Sequence, residues 1–274
     1  MDDMSELAIL AIAMLGTGVA GGVIAGLLGV GGGIVIVPVL EWVLELLGVP
    51  ADIRMHVAVA TSLAVIIPTS ISSARAHHKL GAVDIDLAKR WSPFIVIGAA
   101  VGILIASRVS GPVLTGVFGV VALLVAIKMA LPLDQRTLTS EVPRGMATAV
   151  IPTTIGTIST MMGIGGGSMT VPVLTLMSEP IHKAVGTSAL FGLVISIPGA
   201  LGFIYAGWGN ELLPAGSLGF VNMIGFALIA PTTVLAAPLG ARLAHALSRR
   251  HLSLLFGLFL LLISVRMIWQ TISP

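Results

Sequence analysis

Long stretches without a single charged residue alternate with short polar ones along this chain of 274 residues. No Asp, Glu, Lys or Arg occurs in Leu7–Leu40, Met55–Ala74, Val109–Ile127, Gly145–Ser178, Ala184–Asn210 or Leu212–Ala241. A helix needs about 20 mainly apolar residues to cross ~30 Å of hydrocarbon, and several of these runs reach that length. The pattern predicts an all-α polytopic membrane protein. Its apolar segments fall at about 7–28, 34–48, 55–75, 91–108 and 112–131, then at 145–162, 168–178, 183–206, 217–242 and 252–270.

Those ten segments are five, twice. Gly29-Val30-Gly31-Gly32-Gly33-Ile34-Val35-Ile36-Val37-Pro38-Val39-Leu40 returns as Gly163-Ile164-Gly165-Gly166-Gly167-Ser168-Met169-Thr170-Val171-Pro172-Val173-Leu174, with eight of the twelve pairs identical. His56 and Thr61-Ser62 answer to His182 and Thr187-Ser188, and Phe118-Gly119 to Phe256-Gly257. Ordered matches of this kind mark a duplication. The expected domains are a first transmembrane repeat at 1–131, a cytoplasmic linker at 132–143 and a second repeat at 144–274. In each repeat the second segment is short and broken by Gly and Pro, the sequence mark of a discontinuous helix at a binding site.

Loop charges set the expected orientation. Arg75, Lys79, Lys89 and Arg90 crowd one connection, Lys128, Arg136 and Arg144 the centre, and Arg242, Arg249 and Arg250 a third. The positive-inside tendency assigns all three to the cytoplasm. The loop near 207–216, which matches the first of them, carries only Glu211. Corresponding loops thus differ in bias, as expected for inverted repeats with an odd number of crossings each and both termini outside. Four crossings per half with a re-entrant short segment is the alternative, because each long run beginning at Leu7 or Gly145 is a little short for two full spans.

Composition narrows the function. Apolar residues make up 56% and charged ones 9%, against roughly a quarter charged in ordinary soluble domains. The net charge is only +2, so nucleic acid is not an expected partner; the bilayer is. Without cysteine there is no disulfide or thiolate metal site, and no metal or other cofactor is expected. The basic loops suit an anionic membrane surface, the sequence leaves room for a homodimer, and the expected location is a prokaryotic cell (inner) membrane.

The candidate chemistry lies at the glycine turns. Gly31, Gly32 and Gly33, and likewise Gly165, Gly166 and Gly167, permit close backbone approach and positive φ. The helix starts that follow offer free amides and partial positive charge to an anion. Ser168 is placed to cap one of them, and Thr61, Ser62, Thr187 and Ser188 supply further hydroxyls. The plain alternatives are glycines that only let helices pack and hydroxyls that bond back to helical carbonyls. His56, His182, Lys183 and Glu41 are candidates for gating or coupling, with solvated interface positions the plainer reading of the histidines and of Glu41. His77-His78 reads as part of a charged loop, and Pro38 and Pro172 as residues that kink or end the short helices.

With these motifs the sequence resembles the sulfite exporter family TauE/SafE, also grouped with toluene-sulfonate uptake permeases. The likeness rests on the two Gly-rich turns each followed by Val-Pro-Val-Leu, and on the Thr-Ser pairs after them. It extends to Ala76-His77-His78-Lys79-Leu80-Gly81-Ala82-Val83-Asp84 and to Pro238-Leu239-Gly240-Ala241-Arg242-Leu243-Ala244, and covers essentially the whole chain. The resemblance implies a secondary transporter of a small anion, sulfur-containing such as sulfite, sulfoacetate or a sulfonate, exported by alternating access. There is no Walker-type phosphate loop, so an ion gradient or the membrane potential is the expected driving force. A passive anion channel is the nearer rival. An intramembrane hydrolase with Ser168 as nucleophile and His182 or His245 as base is the distant one, and the expectation is that the chain is not an enzyme.

Overall fold

A computed structural model describes residues 3–29, 31–130, 147–243 and 249–272. The expected linker at 132–143, and His245, lie outside the described residues. Among those described, ten helices follow in order: α1 (Asp3–Leu28), α2 (Gly33–Leu46), α3 (Ala51–Lys79), α4 (Ile85–Ala106) and α5 (Gly111–Ala130), then α6 (Ala147–Met162), α7 (Gly167–Leu176), α8 (Ile181–Ala206), α9 (Met223–Leu243) and α10 (Arg249–Ile272). The only strands described are Ser217–Leu218 and Val221–Asn222, a two-stranded hairpin between α8 and α9. Helices α3, α4, α5, α8 and α9 are long and apolar enough to cross a membrane. Leu235 (75% exposed) and Leu201 (62% exposed) point outward from such helices, where a soluble protein would carry charge; hydrocarbon is the solvent that suits them. The chain is a multi-pass membrane protein.

The five-plus-five expectation meets ten helices, with the short second one in its expected place in each half. At about 1.5 Å per residue, α2 and α7 with 14 and 10 residues are shorter than a standard span of about 20 residues, as expected of the broken second segments. Pro38 and Pro172 do not end them. Both prolines lie inside their helices, five residues after the first helical position, where one lost amide bond is tolerated in a packed bundle.

Packing exchanges the halves. α1 packs on α9 and α6 on α4, while α3 packs on α8 and α5 on α10. Along the α3–α8 contact, Leu63 lies by Gly199, Ser70 by Gly192 and His77 by Gly186. One number rises while the other falls, so these two equivalent helices run antiparallel. Gly116 beside Thr271 and Gly119 beside Ile268 give α5 and α10 the same relation. Antiparallel equivalents mean inverted repeats. The α1–α9 seam is tight because Gly18, Gly22 and Gly26 recur every fourth residue against Thr232, Thr233 and Ala237; a Cβ on Gly22 would stand 2.5 Å from the Thr233 carbonyl oxygen. Such small-residue stripes let backbones approach where the hydrophobic effect between helices is absent. Two polar bridges cross to α9 from α3: Thr69 donates to the Thr233 hydroxyl at 2.8 Å and Ser72 to the Val234 carbonyl at 3.0 Å.

Candidate functional site

Both glycine turns lie buried where the halves meet. Gly32 and Gly166 cap α2 and α7 with φ of 77° each, a left-handed conformation that favours glycine. No side chain caps either helix. The amides of Val35 and Ile36 return to the Gly32 carbonyl, and those of Met169 and Thr170 to that of Gly166. By helix geometry the amides of Gly33 and Ile34, and of Gly167 and Ser168, have no helical acceptor. The turns touch. A Cβ on Gly31 would stand 3.3 Å from the Gly165 Cα, and one on Gly33 would collide with the Gly163 carbonyl. Two helix starts thus face each other through bare backbone, which no larger residue at 33 would permit.

The Thr-Ser pairs brace this crossing from the opposite halves. Ser62 on α3 donates to the Gly163 carbonyl at 2.8 Å, and Ser188 on α8 donates to that of Gly29 at 3.2 Å. Ser188 also reaches the Val185 carbonyl at 2.8 Å. Thr61 accepts from the Asn222 amide and Thr187 from the Asp84 amide, each at 2.9 Å. Asn222 and Asp84 in turn accept from the amides of Gly225 and Leu87 at the starts of α9 and α4, as N-cap residues do. All four hydroxyls are buried and engaged within the protein. Ser168 is buried in the first turn of α7.

Around the second turn lie hydroxyls that sequence reasoning passed over. Ser70, Ser159, Thr160 and Thr170 are buried, with oxygens that have no hydrogen-bond partner. The available signal was a difference between the repeats, since residues flanking the second turn are polar where those flanking the first are not.

The remaining candidates separate. Glu41 on α2 is buried and paired with Arg54 of α3, Nε to carboxylate 2.9 Å, with Arg266 of α10 at 3.8 Å. Glu45 joins them, 2.8 Å from Arg266 and 3.5 Å from Arg54. Interface anchoring in solvent is therefore replaced, for Glu41, by a charge cluster tying three helices. His56 is likewise not solvated: its Nε2 lies 2.9 Å from the Ala106 carbonyl, which makes it the donor, and its ring stacks on Phe220. His182 and Lys183 are exposed at the start of α8. His77 is not in a loop. α3 continues to Lys79, which buries His77 with Nε2 3.0 Å from the Gly26 carbonyl. Ser168 is buried in the first turn of α7, whereas His182 is exposed beyond that helix's far end; His245, the other candidate base, lies outside the described residues. At the end where α3 and α9 finish, a groove of about 620 Å³ is lined by Pro68, Ile71, Val234 and Pro238 with Arg75, Lys79 and Arg242.

Residues 14–267 match the family described as Sulfite exporter TauE/SafE. The chain is similar to a "Probable membrane transporter protein" of Haemophilus influenzae, 34% identical over 91% of this chain and 95% of the relative. A protein of the same description from Methanocaldococcus jannaschii is 26% identical over 88% of this chain and 91% of its own. YunE of Bacillus subtilis, described likewise, is 25% identical over 93% and 96%. No solved structure matches the chain. The relatives are described as transporters and not as enzymes, and the family match spans nearly the whole sequence, both glycine turns included: the chain belongs to the sulfite exporter TauE/SafE family of membrane transporters.

Proposed function

We propose that this membrane transporter is a secondary carrier that exports a small anion, sulfur-containing such as sulfite, sulfoacetate or a sulfonate, with the anion held where Gly31–Gly33 and Gly165–Gly167 meet. The observation that carries the reading is the meeting itself: Gly31 against Gly165, Gly33 against Gly163, at two uncapped helix starts. Free amides and the helix field favour negative charge there without a buried lysine. Ser62, Ser188, Thr61 and Thr187 act one step removed, holding the turns in register through the bonds described above. Ser168 stands among the donors at the start of α7.

Inverted, near-equivalent halves support alternating access. Exchanging their conformations yields a second state of comparable energy with the opposite end open, and the anion selects neither halfway. The groove with Arg75, Lys79 and Arg242 gives the basic end an attraction for anions before they enter. Placing that end in the cytoplasm follows the positive-inside tendency and puts both termini outside.

Reconstitution in proteoliposomes tests the reading. Sulfite, sulfoacetate and thiosulfate are loaded in turn, and flux is followed with and without the same anion on the far side. A carrier shows counterflow, with flux accelerated by trans anion. Flux indifferent to trans anion means a passive channel, and no anion flux, or a preference for cations or neutral solutes, overturns the proposal.

A further inference from the structure

The centre of the molecule is symmetric in backbone and asymmetric in chemistry. Gly32 and Gly166 share one backbone angle and one capping geometry. In the register that pairs Gly29 with Gly163, however, Ser159, Ser168 and Thr170 of the second half match Ala25, Ile34 and Ile36 of the first. We propose that the anion of the preceding section is held on one side of this centre, by the α7 amides with the hydroxyls of Ser159 and Thr170, and that the first turn serves as the packing surface beneath it. The inference rests on the anion-transporter reading and adds which residues grip the anion.

Thr170 and Ser159 are 0% and 1% exposed, and neither side-chain oxygen has a partner. Both oxygens lie beside Gly166, 3.6 and 3.8 Å from the point a Cβ there would occupy. A helical threonine in a membrane protein ordinarily gives its proton to the carbonyl four residues back, as Thr17, Thr115 and Thr271 do here. Thr170 does not, although the Gly166 carbonyl it would use accepts its amide at 2.7 Å. Leaving such groups unpaired in a dry interior is costly, so their retention calls for a ligand. Ser70 of α3 adds a third unpartnered hydroxyl: its oxygen and the Gly165 carbonyl flank the same point beside Gly192, at 2.5 and 3.1 Å. Hydroxyls and amides that can all donate, gathered at a helix N-terminus, match the several acceptor oxygens of a small sulfur oxyanion.

The test uses purified full-length protein, sulfite and sulfoacetate as probes, and direct calorimetric binding beside thermal unfolding without anion. Ser159→Ala and Thr170→Val should each weaken binding tenfold or more. Their unfolding midpoints should hold or rise, because an unpartnered hydroxyl stabilises nothing in the empty protein. Thr170→Ser, which restores the hydroxyl, should recover binding, and Ala25→Ser in the first half should leave it unchanged. If the wild type binds anions and both hydroxyl variants bind them equally well, this inference is wrong and the transporter reading stands. If the wild type binds none of the anions, the transporter reading itself fails. Variants that lose stimulation by sodium while keeping anion affinity would overturn the proposal in favour of a cation site.

Discussion

Ser62 and Gly163 lie 101 residues apart in the chain and in opposite repeats, yet the hydroxyl of one donates to the carbonyl of the other at 2.8 Å. Gly163 has φ of 68° and directly follows the last residue of α6, so its carbonyl is turned out of the helix and needs an external donor. Ser62→Ala leaves that buried carbonyl without it, a loss of about 1–3 kcal/mol. Ser188→Ala should cost less, because Ser188 divides its bond between Gly29 and the nearer Val185 carbonyl. Thermal unfolding in one detergent, the two variants side by side, checks the order; equal midpoints would deny the bridge its role.

Glycine itself is the next prediction, and position decides its sign. A Cβ on Gly33 meets the Gly163 carbonyl and stands 2.9 Å from the Ser62 hydroxyl. None of those atoms is a free side-chain end, so Gly33→Ala must push the turns apart, at about 1–3 kcal/mol for overpacking, with transport lost. Gly16 on α1 has nothing within 4 Å of its added Cβ, and alanine there removes backbone entropy from the unfolded chain. Gly16→Ala should be neutral or stabilise by about 0.5–1 kcal/mol. Unfolding midpoints paired with proteoliposome flux distinguish the two.

Much of this architecture was legible in the chain, and the illegible part has a common cause. The duplication, the turns and the short second helices follow from local signals: eight identities in twelve positions, glycine triplets, and runs without charge. The partners of Thr61, Ser62, Thr187 and Ser188 across the molecule do not, because each of those bonds joins residues more than 100 positions apart, and a hydroxyl in an apolar helix looks the same whether it meets a ligand or a carbonyl. His77 misled for a different reason. Its neighbours Arg75, His78 and Lys79 are polar, but α3 carries them as the last turn of a helix, and only the face shared with α1 and α8 decides that His77 alone is buried. The hairpin at 217–222 is held by Gly216, which accepts from Met223, and by Phe220, which donates to Phe203; four strand residues leave too little periodicity to read.

Arg54 is the hub of the charge cluster that joins α2, α3 and α10, and its removal should be the most damaging single change there. Glu41, with its side chain 3% exposed, would keep only Arg266 at 3.8 Å. Breaking a buried ion pair from one side costs about 3–5 kcal/mol. Glu45 is more than a third exposed, so Glu45→Ala should cost far less. Replacing both members, Glu41→Leu with Arg54→Met, removes the stranded charge and should recover most of the loss. A double-mutant cycle on unfolding free energies reads the coupling; additive single and double values would mean that Glu41 and Arg54 do not stabilise one another.

Charge at the groove should govern how fast the anion arrives rather than how fast it is carried. Arg75, Lys79 and Arg242 line the same groove although they come from two different repeats, which is a consequence of the inversion: α3 and α9 finish at one end. Arg75 and Arg242 are exposed, so their attraction is long-ranged and screened by salt over roughly 8–10 Å at physiological ionic strength. Replacing all three with glutamine should raise KM several-fold at low salt and leave the maximal rate near its original value. The difference from the unaltered protein should shrink as salt increases, because screening removes from one what substitution has removed from the other. An effect on the maximal rate that persists at high salt would place these residues in the transport step and not in the approach to it.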